Sequence, residues 1–162
     1  MRKISFLVAV AAVSALSACS AYKASVATYE FDKKTLELVE LNGEAYDATA
    51  VEFPVVFNFS VNSDDSVDAN DSASSSLVNG NSGCNRFFGS FYANADTLRF
   101  VNIGVTRMLC DDASNAVEQK VMDVINQTSR YEVKDSVIEF FNNEVSLAKF
   151  SAKDNDTETP KN

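Results

Sequence analysis

The residues that could do chemistry in this chain are few. It has three cysteines, Cys19, Cys84 and Cys110, and no histidine. Without histidine, neither a Ser-His-Asp triad nor a Cys-His pair can be assembled. The commonest ligand for zinc, copper and iron is also missing. Asp111 and Asp112 form a carboxylate pair that could serve acid–base work. They also stand where a helix would begin, and capping explains them with less. Asp64, Asp65, Asp68, Asn70 and Asp71 invite a calcium reading. An EF-hand loop begun at Asp64 would need glycine where Ala69 stands and glutamate where Ser75 stands, so a solvated acidic loop fits better. Gly80-x-x-Gly83 lacks the Gly-Lys-Ser/Thr that completes a phosphate loop. The expectation is a protein that is not an enzyme, with no metal and no cofactor.

Cys19 carries a different chemistry. Arg2 and Lys3 precede an apolar run from Ile4 to Leu16, broken only by Ser5 and Ser14. That run is shorter than the roughly 20 residues a helix needs to cross a bilayer. A charged start, a short apolar stretch and small residues at its end describe a signal peptide. Leu16-Ser17-Ala18-Cys19 resembles the lipobox of bacterial lipoproteins. The resemblance predicts a signal peptide over residues 1–18, acyl chains on Cys19 and a tether over residues 19–34. An ordinary secretory signal with a chance cysteine is the alternative. Ser20 after the cysteine points, by analogy, to an outer-membrane lipoprotein facing the periplasm. Its expected partners are the membrane, through the lipid anchor, and an unknown envelope protein.

Charge narrows the partners further. The chain has 14 basic and 23 acidic residues. Losing Arg2 and Lys3 takes the net charge of −9 to about −11, which opposes binding to nucleic-acid phosphates and to anionic lipid head groups. Parity narrows the cysteines. With Cys19 lipidated, Cys84 and Cys110 remain in an oxidising compartment, where a disulfide is expected. It would close a loop of about 26 residues and stabilise by roughly 3–4 kcal/mol. Two buried free thiols packing as small apolar groups are the alternative.

The elements that must position these residues are mostly strands. Leu36, Leu38 and Leu41 mark a strand from Thr35 that ends in an Asn42-Gly43 turn. Phe53, Val55, Phe57, Phe59 and Val61 alternate as one half-buried strand, with Pro54 near its start. Asn62–Ser76 is a polar break, read as a long hairpin loop. Strands return at Leu77-Val78, Phe87–Tyr92 and Thr97–Leu109, the last with a β-bulge between Phe100 and Val101. From Asp111 to Gln127 the pattern becomes helical, with Ala113, Ala116, Val117, Val121, Val124 and Ile125 on one face and Glu118 elsewhere. Tyr131–Phe141 folds back at Lys134-Asp135, and a last strand covers Val145–Phe150. The tail, residues 152–162, reads as disordered. The fold class is mainly β with one α-helix: a curled antiparallel sheet or partly open β-barrel closed by the helix.

Two segments stand out. In Gly80-Asn81-Ser82-Gly83-Cys84-Asn85-Arg86-Phe87-Phe88-Gly89 the glycines allow a tight entry into a strand, and Asn85 and Phe87 share one face. Thr106-Arg107-Met108-Leu109-Cys110 places Thr106, Met108 and Cys110 on one face of a strand that ends before the helix. Together they resemble the META/HslJ domain family, with its G-x-x-G-C-N-x-F-x-G and later T-x-M-x-C segments. Thr35–Gly43 is similar to the family's first strand, with Leu36 where many members have tryptophan. The resemblance spans residues 35–151. It implies a barrel-like domain with one helix, common in exported lipoproteins and linked to stress response, motility or virulence. It implies no catalysis. Asn85, Arg86, Phe87, Thr106 and Arg107 are its motif positions and possible binding residues.

The leading reading is a protein-interaction or stress-related module, recognisable by an exposed apolar patch beside the Cys84–Phe91 strand. The alternative is a carrier of a small hydrophobic ligand, with Phe53, Phe57, Phe59, Phe88 and Phe91 lining a cavity.

Overall fold

The structure is a computed structural model that describes residues 29–32, 34–61 and 76–154. In chain order the elements are β1 (Lys34–Leu41), β2 (Glu44–Ala45), a 3-10 turn (Ala48–Ala50), β3 (Val56–Val61), β4 (Ser76–Asn81), β5 (Arg86–Asn94), β6 (Thr97–Val105), α1 (Asp112–Gln127), β7 (Arg130–Lys134), β8 (Val137–Asn142) and β9 (Val145–Asp154). All pairings are antiparallel, and β1 pairs with both β3 and β9, so eight strands close into a barrel. β2 hangs outside as a short edge on β1. The expected mainly β fold with one helix is present, and the ring is closed. Its thinnest seam lies between β6 and β7, where Thr97 and Arg130 are the one registered pair.

Period-two alternation fills the interior. Leu36, Phe57, Phe59, Phe87, Leu98, Ile138, Phe140 and Phe150 are all buried. An eight-stranded barrel is just wide enough for such side chains to fill it. The rings meet at tilted and edge-on angles, with centroids 4.6 Å apart for Phe57–Phe87 and for Phe140–Phe150, and 4.9 Å for Phe59–Phe91.

The two ends of the barrel are closed differently. At one end Phe31 is buried against Phe59, Phe91 and Tyr131. The Tyr29 amide donates to the Tyr131 hydroxyl, which donates to the Ala95 carbonyl. Residues 29–32 therefore belong to the domain, not to a tether. Sequence periodicity misses Phe31 because it is an isolated plug outside any strand. At the other end α1 lies across the opening. Asp111 caps it, accepting from the Ser114 amide at 2.8 Å. That amide, and then the Ser114 hydroxyl, hold the Asp111 carboxyl below its ordinary pKa. The buried stripe is Ser114, Val121, Val124 and Ile125, with Val117 beside it, whereas Ala113 and Ala116 are exposed.

Several boundaries move. Phe53 lies before β3 and is exposed, because Pro54 follows it and pairing begins only at Val56. β6 stops at Val105, so Thr106–Cys110 is loop and not strand. The bulge lies between Val101 and Gly104, opposite Gly89. Any Cβ at Gly89 would stand 2.9 Å from the Asn102 carbonyl oxygen, so the bulge needs glycine there. β9 continues through Ser151 to Asp154, because β1 supplies partners as far as Lys34. Cys19 and the 62–75 segment lie outside the described residues, as does the tail beyond Asp154.

Candidate functional site

The motif residues converge at the helix-capped end. The Cys84–Cys110 disulfide is formed, with Cα atoms 5.9 Å apart. It fastens the turn between β4 and β5 to the loop that leads into α1. Asn85 sits beside it and is 4% exposed. Its Oδ1 accepts from the Met108 amide at 2.7 Å and from the Thr106 hydroxyl at 2.9 Å. Its Nδ2 donates to Glu118 Oε1 at 3.2 Å and to Cys84 Sγ at 3.3 Å. Its backbone amide donates to Glu118 Oε2 at 2.7 Å. The Ser82 hydroxyl lies 3.0 Å from the same oxygen. Thr106 also accepts from the Arg86 amide at 3.1 Å.

This arrangement is a closed knot. An asparagine side chain has two acceptor sites and two donors, and all are spoken for inside the chain. A buried amide so satisfied stabilises the fold, and removing it strands its partners. Asn85 and Thr106 are thus brought together, and Phe87 points into the core. Arg86 and Arg107 point outward and are exposed. Gly83 has φ of +106°, and its Cα faces Val117 so closely that a Cβ would stand 2.9 Å from Cγ1. Helix and turn meet there at glycine's distance.

Glu118 is the residue that sequence reasoning placed on the wrong face. It follows Ser114 by one helical turn and precedes Val121 by another, so it interrupts the buried stripe. A carboxylate inside such a stripe signals a partner across the interface. Here the partner is Asn85. Among the described residues no group of three His, Cys, Asp or Glu side chains is placed to hold a metal.

The other feature is on the outside. Strands β3 to β6 contain no Asp, Glu or Lys. Their outward side chains include Leu77, Phe88, Tyr92 and Val101, all exposed. Phe88 is 56% and Tyr92 54% exposed. Phe88 pairs with Gly104, Ser90 with Val101 and Leu77, and Tyr92 with Arg99. Past β6, in the loop that leads to α1, Met108 is half exposed and Leu109 is 97% exposed. The apolar patch expected beside the Cys84–Phe91 strand is present.

The sequence matches the META domain family over residues 30–155. The chain belongs to the META domain family. No curated protein matches the chain. Two solved structures share the fold. One, from Burkholderia xenovorans and solved by NMR, is 18% identical, with a TM-score of 0.57, and the match covers 76% of this chain and 83% of that one. The other, also solved by NMR, is 15% identical, with a TM-score of 0.53, covering 74% and 89%. The META match begins one residue before Phe31 and ends one residue after Asp154, so the family unit includes the plug and the whole of β9.

Proposed function

We propose that this chain is an exported lipoprotein, anchored by Cys19 in the outer membrane and facing the periplasm, whose META domain is a non-catalytic interaction module for an envelope protein. The observation that carries the reading is the exposed apolar strip of β4 to β6. Water-exposed aromatics on a sheet face cost solubility and are retained where a partner covers them. The knot supports it from the other side. Asn85 and Thr106 are consumed by architecture, so the recognition work falls to the outer surface. The Cys84–Cys110 bond suits an oxidising compartment. A stress-related role accords with the family resemblance.

A second reading has one observation in its favour. Tyr29, Phe31, Val61, Phe91 and Ala93 line a cleft of about 500 Å³ at the Phe31 end. A small hydrophobic ligand would seat there rather than in the barrel interior, which Phe57, Phe59 and Phe91 fill with their own rings. Phe53 and Phe88 face solvent.

Metabolic labelling with an alkyne palmitate tests the anchor. The wild-type chain takes up label and fractionates with membranes, and Cys19→Ser loses both. Label retained in Cys19→Ser rules the anchor out. Native mass spectrometry of a periplasmic form starting at Ala21 tests the carrier. A bare protein mass supports the module, and a bound mass of a few hundred daltons, lost on denaturation, replaces it with the carrier.

A further inference from the structure

The outer strip has a composition that says more than "apolar". Along β5 the outward residues run Arg86, Phe88, Ser90, Tyr92. Arg99 stands beside Tyr92 on β6, and Arg107 follows the Thr106 amide that donates to the Arg86 carbonyl. Among the described residues Arg86, Arg99 and Arg107 make no ion pair. In a chain with 23 acidic residues, four successive strands without one carboxylate, bearing arginines that make no ion pair among the described residues, are a marked departure.

Three occupants can be weighed. Protein-binding patches are enriched in Tyr, Phe, Met and Arg and depleted in Lys, Asp and Glu, and this face has that pattern. Surfaces that adsorb to anionic lipid are typically built with lysine as well as arginine, and this face has no lysine. A second copy docked on the same strip by a two-fold axis would bring arginines together with no carboxylate from strands β3 to β6 to pair them. The strip's charge therefore calls for a foreign, acidic partner.

We propose that Arg86, Phe88, Arg99, Arg107, Met108 and Leu109 form a docking surface for a protein that presents carboxylates around an apolar cleft. This deepens the interaction-module reading and rests on it. Leu109, 97% exposed, is the apolar projection that the partner's cleft receives. The disulfide and the Asn85 knot hold its loop in place before binding, which lowers the ordering cost. Arg86 and Arg107 stand at the Leu109 end of the strip and Arg99 at its far end beside Tyr92, and all three pair with the partner's acids.

The test uses the full chain in living cells, with a photo-crosslinking phenylalanine analogue at Leu109 or Ser90, and at Lys153 on the opposite flank. The expected result is a heterologous protein adduct from Leu109 and Ser90 and none from Lys153. The crosslinked peptide, sequenced by mass spectrometry, should carry Asp or Glu beside apolar residues. Arg86→Glu with Arg99→Glu should cut the adduct at least tenfold, while Lys153→Glu leaves it unchanged and both chains melt like the parent. An adduct of twice the chain's mass, a lipid-sized addition, a basic peptide, equal adducts from both flanks, no adduct, or indifference to charge reversal each overturns the proposal. Palmitate labelling is read on the same cells. An unlipidated chain that still gives the adduct sinks the anchor and leaves the surface standing.

Discussion

The two flanks of the barrel are built from the same antiparallel ladder and solve the problem of water in opposite ways. On β8, β9 and β1 the outward residues include charges paired across strands, beside the exposed Val39 and Val145. Lys149 donates to Glu40 at 2.6 Å and lies 4.0 Å from Glu139. Lys153 donates to Glu37 at 2.7 Å, and Lys34 pairs with Asp154. On β4 to β6 the outward residues are aromatic, aliphatic, hydroxyl, amide or arginine. The charged flank is complete in itself, since each cation has a carboxylate from a neighbouring strand. The apolar flank is incomplete in itself. Both flanks hold the fold mainly through their inner faces, so the difference between their outer faces bears first on association.

Predictions follow that difference, from the largest effect down. Replacing Cys84 and Cys110 by serine frees a 26-residue separation beneath the apolar flank and should cost about 3.5 kcal/mol. Chemical denaturation of the oxidised and the substituted chain measures it, and equal midpoints would show that the staple adds nothing. Asn85→Ala strands the Met108 amide and the Glu118 carboxylate. The expected loss is about 2–3 kcal/mol in the same assay. A loss under 0.5 kcal/mol would mean that water replaces the amide and that the knot is open.

Acidity separates the two regions again. The Asp111 carboxyl has a folded-state pKa below its ordinary 3.8, through the Ser114 amide first. Its contribution is present above the unfolded value and is lost as pH falls through the folded one. Asp111→Asn should therefore flatten the melting profile below pH 3.8. The Lys149 ammonium is raised above its ordinary 10.5, first by its hydrogen bond to Glu40 and then by attraction to both carboxylates. Its contribution is complete below 10.5 and fades as pH rises beyond it. Lys149→Met should flatten the alkaline limb alone. Thermal melts across pH read both, and a variant that moves the other limb breaks the assignment.

The smallest effects contrast the exposed positions directly. Lys153→Ala removes a surface pair and should cost about 0.2–1 kcal/mol. Leu109→Ser should change stability by less than about 0.5 kcal/mol while abolishing the partner adduct. A large destabilisation by Leu109→Ser would make that leucine a packing residue and erase the contrast between the flanks.

How much of this was legible beforehand depends on the range of the interaction. Strands with clean alternation, such as Val55–Phe57–Phe59 and Ile138–Phe140, announced themselves. So did the Asn42-Gly43 turn and the Asp111 cap, because turns and caps are local events. Phe31 did not, since one aromatic before a strand has no period. The far end of β9 did not, because Ser151–Asp154 is polar and is held only by pairing with β1. Glu118 was misplaced because a helical wheel sorts charges outward by default, and its partner lies 33 residues away.

The amino-acid sequence by itself determined the fold class, the family, the cysteine parity and the lack of any histidine chemistry. These follow from composition, period and short motifs, which need no folded chain to read. Tertiary structure alone decided that Asn85 and Thr106 serve architecture, that Phe31 plugs the barrel and that the acid-free strands β3 to β6 form one flank. The physical reason is that strand register, set by pairing between distant segments, assigns each side chain its face and its neighbours.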